Sequence, residues 1–353
     1  GLSGQPVTGS NEAILEGAQD KNIRMFTVKR EMSQTPLDDC HTDTGWREAS
    51  TQSIAEFSAT GYFFGKNLYD VLNVPIGLIE ADWGGTCIEA WMSDESAKKI
   101  QPDQTRDIKR WGAANQTACL FNAMVHPLIN YTAKGFIWYQ GESNVGRHET
   151  YAERLADMVQ LWRKEWGLGE LPFYFAEIAP YAYGGTQQEK AAYLREAQFR
   201  AQSLIPNSGM ISTNDLVEPY EMYNIHPRNK TKVGQRLSYL ALNLTYGLKQ
   251  IHCFGPQYKS WTAKGSEAWV SFDHLEMGIC RNYDLRGFEV AGEDRVFHPA
   301  DKVWLHWQTN EVVISSEKVS HPVSVRYCFH DFQIGTMIGG NELPTIPFRT
   351  DNW

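Results

Sequence analysis

The chain has 353 residues, 42% of them hydrophobic and 21% charged, an ordinary balance for a globular protein with room for one large domain and an appended module. Its net charge of −9 argues against a nucleic-acid or anionic-membrane partner, since phosphates and acidic headgroups repel such a surface. No apolar run reaches the roughly 18 residues of a membrane span, and the start "GLSGQPVTGSNEAI" lacks the basic and apolar regions of a signal peptide.

The first strand-like run is "IRMFTV" (Ile23–Val28). A helical pattern, "SIAEFSATGYFFGKNLYDVL", follows, then the runs "PIGLIEA" (Pro75–Ala81) and "GFIWYQ" (Gly135–Gln140). The helical stretch "ETYAERLADMVQLWRKEW" leads to "PFYFAEI" (Pro172–Ile178), and "QEKAAYLREAQFRAQSLI" to "GMISTND" (Gly209–Asp215). A last helix is predicted over "PRNKTKVGQRLSYLALNLTYG". Each helical stretch carries apolar residues at three- and four-residue spacing, and strand–helix alternation of this kind predicts an α/β fold with a parallel sheet covered on both faces. From about Ile251 short alternating runs with Gly, Asn and Asp turns, such as "AWVSFD", "DKVWLHWQ" and "EVVISS", predict a small C-terminal antiparallel β module. The expected domains are therefore 1–250 and 251–353.

Six dispersed cysteines (Cys40, Cys87, Cys119, Cys253, Cys280, Cys328) form no CxxC pair and no zinc-like spacing with His. They are expected mostly as buried small hydrophobes, with one or two disulfides if the protein is exported. Twelve Trp and sixteen Tyr serve core packing first and sugar stacking second. Four N-x-S/T triplets (Asn115, Asn130, Asn229, Asn243) read as chance matches rather than glycan acceptors.

Three segments carry candidate chemistry. In "EADWGGTCIEAW" (Glu80–Trp91) a strand runs into a Gly-Gly turn, where backbone can approach a ligand and direct an N–H at it. Taken alone, a plain tight turn explains it as well. In "WYQGESN" an apolar strand stops on small and polar residues, as at the carboxyl ends of open α/β sheets where ligands bind. Gln140 can donate its amide to a developing oxyanion, a contribution commonly worth about 3–4 kcal/mol of barrier. The plainer alternative is that Gln140 and Asn144 cap the next helix. In "NDLVEPYEMYNIHPRNKTKVG" His226 sits in a loop before a helix, with Pro227 in its expected first turn. Following the last strand, it occupies the position of a general base in many hydrolases.

Together with "FSATGYFFGKNLYDVLNVPIGLIEADWGGTCIEAWMS", "LFNAMVHPLINYTAKGFIWYQGESN", "IHPRNKTKVGQRLSYLALNLTYG" and the C-terminal "GFEVAGEDRVFHPADKVWLHW" and "LPTIPFRTDNW", these segments resemble the sialate O-acetylesterase family of SGNH-type carbohydrate esterases. The resemblance implies a flavodoxin-like SGNH-hydrolase three-layer sandwich with strand order 2-1-3-4-5, followed by the β module. It implies hydrolysis of acetyl esters on sugars, either acetylated sialic acids or xylan-type glycans, with no metal or organic cofactor. A serine attacks the ester, His226 takes its proton, and Gly85 and Gln140 stabilise the oxyanion. Trp83, Glu142 and Asn144 are the expected substrate-binding residues, Glu142 also organising the QGESN loop. The substrate class implies a secreted or periplasmic location.

The family's GQSNM-like nucleophile segment is not in the sequence. The nearest string, "TGSNE" (Thr8–Glu12), follows no apolar strand, so Ser10 is a poor candidate. The resemblance places the serine and its strand upstream of residue 1, carried by an N-terminal fragment of the same precursor that acts as partner. Loss of that central strand would expose the edges of both its neighbours. A second departure is Asn224 where relatives carry an acidic residue before the His. Asp215 is the first candidate for the acid partner of His226, and Glu218 the second. Two other classes compete: a glycosidase using Glu142 and Glu177, in which the His226 segment has no role, and a non-catalytic sugar-binding protein.

Overall fold

Each apolar run of the first half of the chain becomes a parallel strand, and the physical reason is visible in what covers it. The computed structural model describes residues 7–100, 112–282 and 284–353. They form two units: 1–178 with 197–211 and 226–251, and 179–196 with 212–225 and 252–353. The change of composition at 251 coincides with a unit boundary, but the second unit also takes in two segments from within the α/β sequence, the first of them including the start of a helix.

In the first unit β1 (Ile23–Thr27) pairs with β2 (Arg47–Glu48) on one edge and in parallel with β3 (Ile76–Glu80) on the other. A second parallel sheet runs β4 (Phe136–Tyr139), β5 (Phe173–Ala176), β6 (Ser208–Ile211). The helices are α1 (Ser10–Gly17), α2 (Thr51–Glu56), α3 (Ala59–Leu72), α4 (Asp94–Ile100), α5 (Tyr151–Trp166), α6 (Lys190–Leu204), which passes from the second unit into the first, and α7 (Lys230–Leu240).

Helices α3 and α7 lie side by side. A Cβ on Gly234 of α7 would stand 2.7 Å from the backbone of α3 at Thr60 and Phe64, so only glycine allows this approach. Gly65 of α3 rests on Leu78 of β3 in the same way, and Leu240 of α7 on Gly209 of β6. Helix α5 presents Trp162 and Trp166 to Phe136, with Trp162 also against Trp138 and Phe173. Alternation along the strands explains this division: Phe136 and Trp138 point one way, Ile137 and Tyr139 the other.

Four expectations change. The first concerns strand order. In a flavodoxin-like 2-1-3-4-5 arrangement the runs Ile23–Val28 and Pro75–Ala81 would flank a missing strand, yet β1 and β3 hydrogen-bond directly. Among the described residues one sheet ends on β2 and β3 and the other on β4 and β6, so β3 and β4 each keep an edge that pairs with no described strand. Second, the helix predicted over 53–72 is two helices, broken where Ser58 caps α3 by accepting the Gly61 N–H at 3.1 Å. Third, the run Gly209–Asp215 stops being a strand at Ile211, because Ser212 and Thr213 begin a turn closed by Leu216 N–H to Thr213 O. Fourth, α7 starts at Lys230 with Asn229 as its cap, so Pro227 lies outside the helix.

The second unit holds two antiparallel sheets. One is β11 (Lys302–His306), β12 (Glu311–Ser315), β8 (Glu267–Asp273), β7 (Gln257–Lys264); the other is β10 (Phe297–Pro299), β9 (Phe288–Ala291), β13 (Ser324–Tyr327), β14 (Phe348–Arg349). Their inward positions, among them Val270, Phe272, Val290, Ile314, Val325 and Tyr327, form one apolar core. Beside it a buried ion network joins Arg326 to Asp351 at 2.8 Å and to Glu189 at 2.5 Å. None of the six cysteines is in a disulfide, and four of them are buried.

Candidate active site

The loops after β3 and β4 meet at their carboxyl ends, and hydrogen bonds between distant residues fix them. Gly85 adopts φ 75°, the left-handed region that glycine enters without strain. Thr86 closes the turn by donating its hydroxyl to the Trp83 carbonyl at 2.7 Å, and Trp91 Nε1 donates to that hydroxyl at 3.0 Å. From another segment Asn115 donates to the Gly85 carbonyl at 3.2 Å and accepts the Cys87 N–H at 2.8 Å. The Gly85 N–H donates to no described residue, and Gly85 is exposed. The turn therefore offers solvent a fixed donor.

Gln140 directly follows β4 and is bonded all round. Its Nε2 donates to Thr86 O at 3.1 Å and to Asn144 Oδ1 at 2.7 Å, and its Oε1 accepts from the Tyr151 hydroxyl at 2.9 Å. Gln198 Nε2 donates to its backbone carbonyl at 3.0 Å. Both amide hydrogens are thus engaged within the protein. Asn144 is buried, accepts the Ile88 N–H at 3.1 Å and donates to Glu89 Oε2 at 3.1 Å. Its amide thus accepts twice and donates once within the protein, which makes it a staple between the two loops. Neither residue caps a helix: α5 begins at Tyr151 after Thr150, with a short 3-10 turn at Glu142–Asn144 in between.

Beneath this junction Glu89 accepts from Arg147 Nη1 at 2.6 Å and lies 3.8 Å from Arg154 Nη1. Glu142, at the rim, has its carboxyl raised above the ordinary range by burial, opposed by the positive charges of Lys230 and His226. Lys230 lies 4.8 Å over the Tyr139 ring. His226 is exposed on the loop leading to α7. Thr8 N–H donates to Arg228 O at 3.0 Å, which brings the segment before Ser10 to the same loop. Ser10 itself is the first residue of α1. At the end of β1 a groove of about 460 Å³ is lined by Lys29, Arg30, Glu31, His41, Thr42 and Asp43. Arg30 joins it to the Trp83–Gly85 turn through a 2.6 Å ion pair with Asp82.

Of the residues expected from sequence, Trp83, Gly85, Gln140, Glu142, Asn144 and His226 all belong to the first unit, on the segments just described. Asp215 belongs to the second, in the turn after β6, where its charge helps burial to raise the Tyr327 hydroxyl pKa. Sequence reasoning missed Asn115, Glu89, Arg147 and Lys230. Asn115 had a visible signal, but its triplet read as a chance glycan acceptor. Among the described residues no cluster of three or more His, Cys, Asp or Glu could hold a metal, and no helix is long and apolar enough to cross a membrane.

Comparison with known proteins bears on this arrangement. Residues 9–243 match the family model described as carbohydrate esterase, sialic acid-specific acetylesterase. The chain is 30% identical to the human sialate O-acetylesterase over 77% of its own length, and 27% identical to that of the mouse over 81%. It spans 56% and 62%, respectively, of those relatives' lengths. A crystal structure of a carbohydrate acetylesterase from Xanthomonas citri superposes with a TM-score of 0.86 at 33% identity, covering 100% of this chain and 79% of that one.

Proposed function

This chain belongs to the sialic acid-specific acetylesterase family of carbohydrate esterases, and from that premise we propose that it hydrolyses acetyl esters on sugars, with acetylated sialic acids as first candidates. The observation that carries the reading is Gly85: an exposed N–H without an intramolecular acceptor among the described residues, on a turn locked by Asn115 and Thr86. Such a preorganised donor costs no reorganisation when charge develops on the ester oxygen.

In the proposed reaction a serine hydroxyl attacks the acetyl carbonyl carbon while His226 removes its proton. The oxygen that becomes negative takes the Gly85 N–H. Collapse expels the sugar alkoxide, which His226 protonates, and water then cleaves the acyl-enzyme to acetate with His226 again as base. Gln140 acts by holding the Thr86 carbonyl and so the turn; donating to the oxyanion itself would cost it the bond to Asn144 or Thr86. Glu142 is a carboxylate of the same unit that interacts electrostatically with His226, and we assign it the stabilisation of the imidazolium. The groove beyond β1, next to Trp83, suits a polar sugar. The nucleophile is proposed to come from an N-terminal fragment of the same precursor, with its strand between the unpaired edges of β3 and β4. The contact of Thr8 with Arg228 supports an approach beside His226.

A glycosidase using Glu142 and Glu177 has less support, because Glu177 is fully buried and a carboxylate there cannot flank a glycosidic bond. The test is acetate release by the complete gene product from acetylated sialic acid and from acetylated xylan, with His226→Ala alongside. Release from the sialic acid that His226→Ala abolishes is expected. Release that survives His226→Ala, or none from either substrate, would overturn the reading.

A further inference from the structure

The outward face of the β11-β12-β8-β7 sheet carries an aromatic platform, and we propose that it binds the pyranose rings of a glycan chain, separately from the site above. Sheets with one face on a core carry polar residues on the other, and Ser260, Thr262, Ser271 and Ser315 follow that rule. Two indoles break it. Trp269 on β8 and Trp304 on β11 stand on either side of Val313 on β12, with ring centroids 5.9 Å apart at 77°. Val313 is buried although it points outward, because the rings cover it. His306 completes the cluster, 4.9 Å from Trp269 and 5.7 Å from Trp304.

The platform is held rigid. Trp269 donates Nε1–H to Glu267 at 3.1 Å, and the Lys264 ammonium caps its face at 3.5 Å. His306 Nδ1 bonds Thr309 Oγ1 at 2.9 Å across the hairpin loop, whose first residue is Trp307. Trp304 and Trp307 are therefore presented on a fixed hairpin, 42% and 68% exposed. Around them Thr309 and Ser271 donate to Glu311 at 2.8 and 3.3 Å, leaving a rim of hydroxyl and carboxylate groups.

The size and chemistry of the patch select the occupant. With roughly 250 Å² for a whole Trp side chain, the exposed parts come to on the order of 250–300 Å². A stable interface with a second copy or another protein needs about 800 Å² per partner with a contiguous apolar centre. One or two sugar rings need far less. A pyranose has an apolar face of C–H groups that lies on an indole and a rim of hydroxyls that bonds to Glu311, Thr309 and Lys302. The rim carries charges of both signs, so a neutral or weakly charged glycan suits it best.

The inference does not depend on the esterase reading, and one experiment keeps the two apart. The complete gene product, Trp304→Ala, Trp307→Ala and Trp304→Phe are run through native gels containing xylan or sialylated mucin, with acetate release and thermal melting measured on the same samples. The wild type should be retarded by at least one polymer. Each alanine variant should bind at least tenfold more weakly, Trp304→Phe should bind at an intermediate level, and melting and acetate release from a small acetyl ester should be unchanged. Trp307→Ala, at a loop, guards against misfolding of the strand variant. Equal retardation of wild type and alanine variants, no retardation of the wild type, or dimers that dissociate in the alanine variants would each overturn the proposal.

Discussion

Arg147 and Glu89 meet at 2.6 Å beneath the junction of the two loops, 58 residues apart in sequence, and the other Glu89 oxygen takes the Asn144 amide at 3.1 Å. Glu89 thereby neutralises a guanidinium and anchors the QGESN loop at once. Arg154, also buried, has its pKa lowered by burial, with Glu89 opposing.

Glu89→Ala should destabilise the protein by about 3–5 kcal/mol, since it removes the buried carboxylate that neutralises Arg147 and accepts the buried Asn144 amide. Arg147→Ala, whose side chain is partly solvated, should cost only about 1 kcal/mol. Urea denaturation of both variants checks the ordering, and equal losses would contradict it.

Asn115 supports the Gly85 turn through bonds at both ends of its amide. Asn115→Ala leaves the buried Cys87 N–H without its acceptor, at a cost of about 1–3 kcal/mol. It also loosens the turn, and an ångström of misplacement can cost on the order of 100-fold in rate. The expected result is a fall in kcat with KM for an acetylated sugar little changed. A variant that raises KM alone would show that the turn serves binding.

Glu80 ends β3 with its carboxyl pKa pushed up to about 7 by burial first and by Asp82 second, against hydrogen bonds from Ser58 N–H at 3.2 Å and Thr27 Oγ1 at 3.3 Å. A folded-state value above the unfolded one of about 4.3 means its contribution is complete below that pH and is lost as pH rises through about 7. Melting temperature should decline across that window in the wild type and flatten in Glu80→Gln. An identical slope in the two proteins would refute the assignment.

His330 and Glu289 form a buried pair at 2.7 Å in the second unit. Burial works to lower the imidazole pKa, but the hydrogen bond and charge of Glu289 outweigh it and the net shift is upward. The stabilisation is full below the unfolded value of about 6.5 and disappears as pH rises through the elevated folded value. An NMR titration should place the His330 midpoint above about 6.5, and a lower midpoint would reverse the sign.

The parallel strands at Ile23, Ile76, Phe136 and Phe173 were legible because each is a short apolar run bounded by turn residues. The Gly85 turn and the His226 loop were legible because glycine and proline punctuate the chain there. Strand order was not, because β1 and β3 join through residues some fifty positions apart and an edge leaves no periodicity. Gln140 and Asn144 look like groups awaiting a substrate, and only folding shows their hydrogen bonds already committed. Glu89, Arg147 and Asn115 are ordinary polar residues in sequence and gain their roles from long-range partners. The second unit recruits 179–196 and 212–225, whose composition matches the α/β part that surrounds them.

The use made of Asn115 bears on how this protein can be produced. Asn115-Gln116-Thr117 is an acceptor triplet for the oligosaccharide that eukaryotic secretory hosts attach to unfolded chains. That sugar would be joined to Nδ2, the nitrogen that must reach the Gly85 carbonyl at 3.2 Å from a buried position. A chain modified there cannot close the turn. A bacterial expression host, or Asn115 paired with a non-acceptor residue in place of Thr117, avoids the conflict.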